Sequence, residues 1–258
     1  MIQPTTYPEI NALLDELFDD MKAILNEGLI GFYLDGSLAL GDFDPATSDV
    51  DFIAAVAQPL APATFDALAA MHRQMRDSGR PFATELEGSY IHLSALRRHD
   101  PADAVFPNLE RGPDEALKLK EHHSDWAIHR YTVREHGIVL FGPPPANLID
   151  PVSADEIRAA TVGVLRSWWA TPEAKAYIRE VPLGALAVYV VPTMCRALYG
   201  LQYGAVVSKP AACQWALTTQ DERWRPIIEG AMRREIHEKH REQVVELVCH
   251  VTESISNL

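Results

Sequence analysis

Between residues 8 and 28 apolar side chains recur at helical spacing: Ile10, Leu13, Leu14, Leu17, Phe18, Met21, Ile24 and Leu25 form one stripe that ends near Gly28. That period predicts an amphipathic helix covering one face of a sheet. The pattern then shortens. LIGFYLDGS is an apolar, aromatic-rich run halted at Gly36, and SDVDFIAAVAQP sets acidic residues ahead of an apolar run closed by Pro59. Both read as strands, joined by the loop LALGDFDPAT. Helical spacing returns from Pro62 to Gly79 through Phe65, Leu68, Met71 and Met75. RPFATELEGSYIHLSAL next alternates as a strand, with Glu85, Glu87 and Ser89 on one face and Leu86 on the other. A helix over residues 125–136 leads into GIVLFGPPP, a short strand closed by prolines.

Beyond this point the strand period disappears. Ser153 with Glu156 three positions on is a capping box that opens a new helix. The remainder is helical in pattern: Trp168 and Trp169, the run ALAVYVVPTMCRALYGL, the segment KPAACQWAL, and a final long helix carrying Ile236, Val244, Val245, Leu247, Val248 and Val251. Trp168, Trp169, Trp215 and Trp224 are expected in the helical core. The change of pattern places a boundary near Asp150. Residues 1–150 are expected to form an α/β (α+β) domain with a small mixed sheet flanked by helices, and residues 151–258 an all-α helical bundle, with the active site in the crevice between them. A chain of 258 residues suits two such domains, and 47% hydrophobic residues suffice for two cores.

Charge narrows the partners. The 36 acidic side chains against 23 basic ones give a formal charge of −13. Such a field repels nucleic acid and draws small cations toward an acidic cleft. Cys195, Cys213 and Cys249 are widely spaced in apolar helical surroundings, which fits reduced thiols in a cytoplasm. The N-terminal stretch MIQPTTYPEINALL has no basic region followed by an apolar one, and no run approaches the length needed to span a bilayer. A cytoplasmic monomer with no membrane partner is expected.

The sharpest chemical feature is Gly36-Ser37 followed, after eleven residues, by Asp49-Val50-Asp51. On a strand, residues two apart point the same way, so Asp49 and Asp51 would direct both carboxylates to one spot. Paired carboxylates make a hard oxygen site for Mg2+, and two such ions clamp the attacking and leaving oxygens of phosphoryl and nucleotidyl transfer. Gly36 would let the backbone approach phosphates, which the Ser37 hydroxyl and nearby amides can hold. Ser48, directly ahead of Asp49, is grouped with this nucleotide-binding set. Glu87 is the third carboxylate, as a metal ligand or as the base that takes a proton from an attacking hydroxyl. Periodicity leaves open which of Glu85 and Glu87 points inward. The cluster His122, His123, Asp125, Trp126 and His129 lacks a completed zinc spacing, and Asp125 or Trp126 is expected to line an acceptor cleft.

The segment DGSLALGDFDPATSDVDFIAAV resembles the nucleotidyltransferase signature of DNA polymerase beta-like enzymes. Nearly the whole chain is similar to the aminoglycoside adenylyltransferases that modify streptomycin and spectinomycin. HGIVLFGPPPANLIDPVS resembles that family's interdomain segment, and TMCRALYGLQYGAVVSKPAACQWAL its C-terminal helical domain. The resemblance implies ATP as co-substrate, Arg196 and Lys209 as phosphate-binding cations, and a small cationic or polyhydroxylated acceptor. The chain departs from the family pattern between Val181 and Arg196, where VPLGALAVYVVPTM carries none of the carboxylates that help bind a cationic antibiotic.

Overall fold

The computed structural model describes residues 4–123 and 125–255, and the chain divides into two compact units between Pro151 and Val152. In the first unit, α1 (Pro8–Leu25) starts with a proline, whose missing N–H is harmless in a first turn, and buries Ile10, Leu13, Leu14, Leu17 and Met21. There follow β1 (Leu29–Leu34), a five-residue helix α2 (Gly36–Leu40), β2 (Val50–Val56), α3 (Pro62–Asp77), β3 (Leu86–His92) and α4 (Leu93–Arg97). A hairpin of β4 (Val105–Leu109) and β5 (Lys118–Glu121), then α5 (Trp126–His136) and β6 (Ile138–Phe141), complete the unit.

The strands form one mixed sheet in the order β5-β4-β3-β2-β1-β6, with β2 and β3 parallel and the other neighbours antiparallel. A parallel pair needs a crossover, which α3 supplies. Phe32, Leu34, Phe52, Ala54 and Tyr90 pack in one core with α1 and α3. Tyr33, Ile53, Ala55 and Ile91 form another with Ala95, Leu96, Trp126 and Val133 of α4 and α5. The central strand β2 is therefore apolar on both faces, Asp51 excepted.

One expectation for this unit is corrected, and one element is new. Glu85 lies in a 3-10 turn, Ala83–Glu85, that follows Phe82 in a left-handed conformation (φ 63°), so β3 begins only at Leu86 and Glu85 does not share a strand face with Glu87. The β4–β5 hairpin has no strand signature in the sequence: β4 contains Pro107, and β5 reads KLKE and is exposed throughout. Charge and proline are what an edge hairpin carries to discourage further pairing.

The second unit is helical. Its first helix, α6 (Ala154–Val164), has the expected capping box: Ser153 accepts from the Glu156 N–H, and the Glu156 carboxylate accepts from the Ser153 N–H at 2.8 Å. Then come α7 (Pro172–Glu180), α8 (Leu183–Ala185), α9 (Val191–Tyr203), α10 (Lys209–Thr219), α11 (Arg225–Arg233) and α12 (Arg241–Ser254). A π-helical turn, Leu186–Val190, joins α8 to α9. Pro192 explains it: the ring lacks an N–H and would collide with the Val188 carbonyl in a regular helix, and the wider turn absorbs both.

Leu183–Tyr203 is thus one helical stretch of 21 residues with mean hydropathy 1.3, long and apolar enough to cross a membrane, contrary to the expectation that no run reaches that length. Its apolar face is used internally, since Leu186, Ala187, Val190, Val191, Met194 and Cys195 are buried in the core of this unit. Trp169 and Trp224 are buried there too, and Trp215 packs against it, but Trp168 is 41% exposed and is no core residue. The final helix is shorter than predicted. The chain turns at Arg234 (φ 57°), and Ile236, although buried, belongs to the connection before α12.

Candidate active site

The site is built where β1, β2 and β3 lie side by side. Beyond the Leu34–Phe52 pair, the Asp35 N–H donates to the Asp51 carbonyl at 3.0 Å and extends the ladder by one step. The chain then turns sharply at Gly36 (φ +57°) into α2. A Cβ at Gly36 would lie 1.9 Å from Asp51 Oδ2, so only glycine allows both the left-handed conformation and this approach. A left-handed residue followed by helical ones turns successive N–H groups to one side, an arrangement that receives anions. The Ser37 hydroxyl beside it is buried without a protein partner, the kind of group a ligand oxygen satisfies.

Asp49 immediately precedes β2, Asp51 lies within it, and the parallel register sets Asp51 opposite Glu87. The three half-buried side chains bring carboxylate oxygens within 4.8 Å of one another, a hard oxygen set that fits a divalent cation. Of the two candidate glutamates, it is Glu87 that stands beside Asp51. Burial raises the Glu87 carboxyl above the usual carboxylate range, while the charges of His129 and Lys120 pull it down. Ser48 closes the preceding loop: its hydroxyl accepts from the Asp44 N–H at 3.0 Å, and its own N–H donates to the Asp44 carbonyl at 2.8 Å.

Three further residues belong to this site: Asp35 and Arg111 escape a reading by sequence, and His129 is visible there only as one of a histidine cluster. Asp35, 3% exposed, shares a row across the sheet with Asp51 and Glu87, and its Oδ2 accepts a hydrogen bond from His129 Nδ1 at 3.0 Å. Burial works against charge on His129. The hydrogen bond and charge of Asp35, joined by Asp125 and Asp51, override it and raise the imidazole above its ordinary value. The His129 ring stacks on Trp126, with centroids 5.5 Å apart. Trp126 meets His122 edge-on, and His122 Nε2 lies 3.3 Å from Ser89 Oγ. Arg111, in the β4–β5 connection, donates from Nη1 to Asp49 Oδ1 and to the Thr47 carbonyl (3.3 Å), with Nε 3.6 Å from Glu85 Oε2. The available signals were Asp35 abutting Gly36 and His129 one helical turn past Trp126; Arg111 had none.

Within the second unit, Arg196 of α9 and Lys209, the first residue of α10, both border Tyr189. Lys209 Nζ stands 5.9 Å from that ring, and the Arg196 charge acts on its hydroxyl. Ser208 caps α10, its hydroxyl accepting from the Ala211 N–H, which sets Lys209 in the first turn.

Residues 147–256 match the family model for the aminoglycoside adenylyltransferase C-terminal domain. An aminoglycoside (3'') (9) adenylyltransferase of Shigella flexneri is 24% identical over 265 residues, covering 97% of this chain and 96% of that protein. One from Escherichia coli is 25% identical, covering 85% and 82%. The crystal structure of the spectinomycin adenyltransferase from Enterococcus faecialis, solved with ATP and spectinomycin, superposes with a TM-score of 0.70 at 16% identity, covering 95% of this chain and 98% of that one. Residues 147–256 thus match the C-terminal domain of aminoglycoside adenylyltransferases, the chain is similar to such proteins along nearly its entire length, and it shares the fold of the spectinomycin enzyme.

Proposed function

We propose that this protein transfers AMP from ATP to a hydroxyl of an aminoglycoside or aminocyclitol. The observation that carries the reading is the convergence of Asp49, Asp51 and Glu87 against the Gly36–Ser37 turn, a cation site set directly beside an anion site. The names of the relatives supply the nucleotide and the acceptor class. Asp49 and Asp51 hold Mg2+ in this proposal, and two such ions would supply positive charge to the triphosphate and its leaving group. The turn amides and Ser37 hold the outer phosphates, with Ser48 fixing the loop that presents Asp49. Arg196 and Lys209 add fixed positive charge to the nucleotide phosphates. Glu87, whose carboxylate stands beside Asp49 and Asp51, takes the proton of the acceptor hydroxyl. The acceptor oxygen bonds to the α-phosphorus as the bond to pyrophosphate breaks.

Incubation with ATP labelled at the α-phosphate and a panel of aminoglycosides and aminocyclitols tests the proposal: label should move to at least one, and transfer to none would remove the acceptor class. A second reading, transfer to another metabolite or to a protein hydroxyl, is favoured by the absence of carboxylates between Val181 and Arg196. Label moving into a lysate component but into no antibiotic would favour it.

A further inference from the structure

We propose that Arg111 is a triphosphate-binding residue of the first unit, carried on the metal carboxylates and handed to the phosphates when a metal–nucleotide complex binds; the inference rests on the nucleotidyl-transfer reading above. Residue 111 is held by its backbone at the heart of the site. Its backbone N–H lies near enough to the Glu87 carboxylate to favour the charged form, and the next residue, Gly112, donates from its N–H to the Thr84 carbonyl at 2.8 Å. From this anchor the guanidinium reaches Asp49 Oδ1, the Thr47 carbonyl and Glu85 Oε2. It therefore ties the loop ahead of β2 to the turn ahead of β3, the two segments from which the metal carboxylates emerge.

Asp49 thus has two claimants. The carboxylate that pairs with Arg111 is also one of the three whose oxygens fall within 4.8 Å of one another. A guanidinium and a divalent cation on one carboxylate repel each other, so an ion that takes Asp49 weakens the hold on Arg111. The side chain can give way: it is 46% exposed, and Glu85, itself part-exposed, leaves it an acidic pivot outside the metal set. A planar guanidinium with a fork of donors matches phosphate oxygens, and a metal-bound triphosphate brings such oxygens to this spot. A bare ion displaces Arg111 and offers it nothing in return, whereas a metal–triphosphate complex offers it a new anion. Arg111 in this way makes the carboxylate set prefer metal that arrives with nucleotide.

The test measures binding without turnover. Mn2+ affinity is read by electron paramagnetic resonance for the wild-type protein and for Arg111→Gln, first alone and then with an ATP analogue whose α,β-bridging atom is carbon. Removing the competing cation should tighten Mn2+ alone by about 5-fold or more. Loss of a charged phosphate contact should weaken the Mn2+–analogue complex by about 10-fold or more. Arg111→Lys, which keeps the charge but not the fork, should bind bare Mn2+ as the wild type does and the complex with intermediate affinity. Opposite signs for the two affinities are the signature, because a damaged fold would weaken both. If Arg111→Gln weakens both, or leaves bare Mn2+ binding unchanged, the role of Arg111 is overturned while the metal site stands. If the wild type binds no more Mn2+ than Asp51→Asn does, with or without the analogue, the nucleotidyl-transfer reading itself fails, and this inference with it.

Discussion

Gly36→Ala isolates the geometric basis of the site. An L-residue at φ +57° costs about 1–2 kcal/mol in backbone energy. The new methyl would also stand 1.9 Å from Oδ2 and 2.6 Å from Cγ of Asp51, so to reach an ordinary contact the carboxylate must retreat by roughly 1.5 Å. Displacing a reacting or metal-binding group by about 1 Å can cost about 100-fold in rate. Label transfer from ATP should therefore fall at least about 100-fold, beyond anything the lost stability explains. Gly79→Ala is the matched control, since Gly79 has φ +71° with nothing within 4 Å of an added Cβ. It should lose about 1 kcal/mol for the same backbone reason and transfer label normally. Urea melts give the stability of each variant and initial rates its activity. The argument is refuted if Gly36→Ala retains transfer within about threefold of the wild type, or if Gly79→Ala loses as much.

Glu87→Gln should keep a folded protein and lower the transfer rate by about 10²–10⁴-fold, the usual worth of a general base; single-turnover rates check it. His72 is buried, bonded to the Tyr90 hydroxyl at 2.7 Å, and burial lowers its pKa from 6.5 to about 4. Between pH 6.5 and 4 the unfolded chain binds a proton that the folded one refuses, so stability present above pH 6.5 is lost as pH falls, by about 3 kcal/mol at pH 4. Urea melts across that range should show a shallower slope for His72→Gln. His129→Gln should destabilise by about 2 kcal/mol, because it leaves the Asp35 carboxylate buried without its cation, and Asp35→Asn in the same chain should recover most of that loss in a thermal melt.

How much of this was legible follows from how far apart the interacting residues lie. Paired carboxylates two apart are a local pattern, and alternation alone brings Asp49 and Asp51 together. Likewise α1, α3 and the capping box at Ser153 obey rules that act within one or two turns. The choice between Glu85 and Glu87 was beyond alternation, because it depends on where β3 begins, and a left-handed Phe82 with its 3-10 turn sets that point. The β4–β5 hairpin hides behind its charges, and the cations of the site come from distant segments: Arg111 lies 62 residues from Asp49, and His129 94 residues from Asp35. These omissions share a cause. Asp35, Asp51 and Glu87 occupy one row across three strands, where like charges in partly buried surroundings repel. A fold that sets such a row together must deliver positive partners to it, and it does so from α5 and from the hairpin. Acidic residues that converge along neighbouring strands can be read from spacing. The bases that make their convergence tolerable arrive by tertiary packing, and only the folded chain reveals which they are.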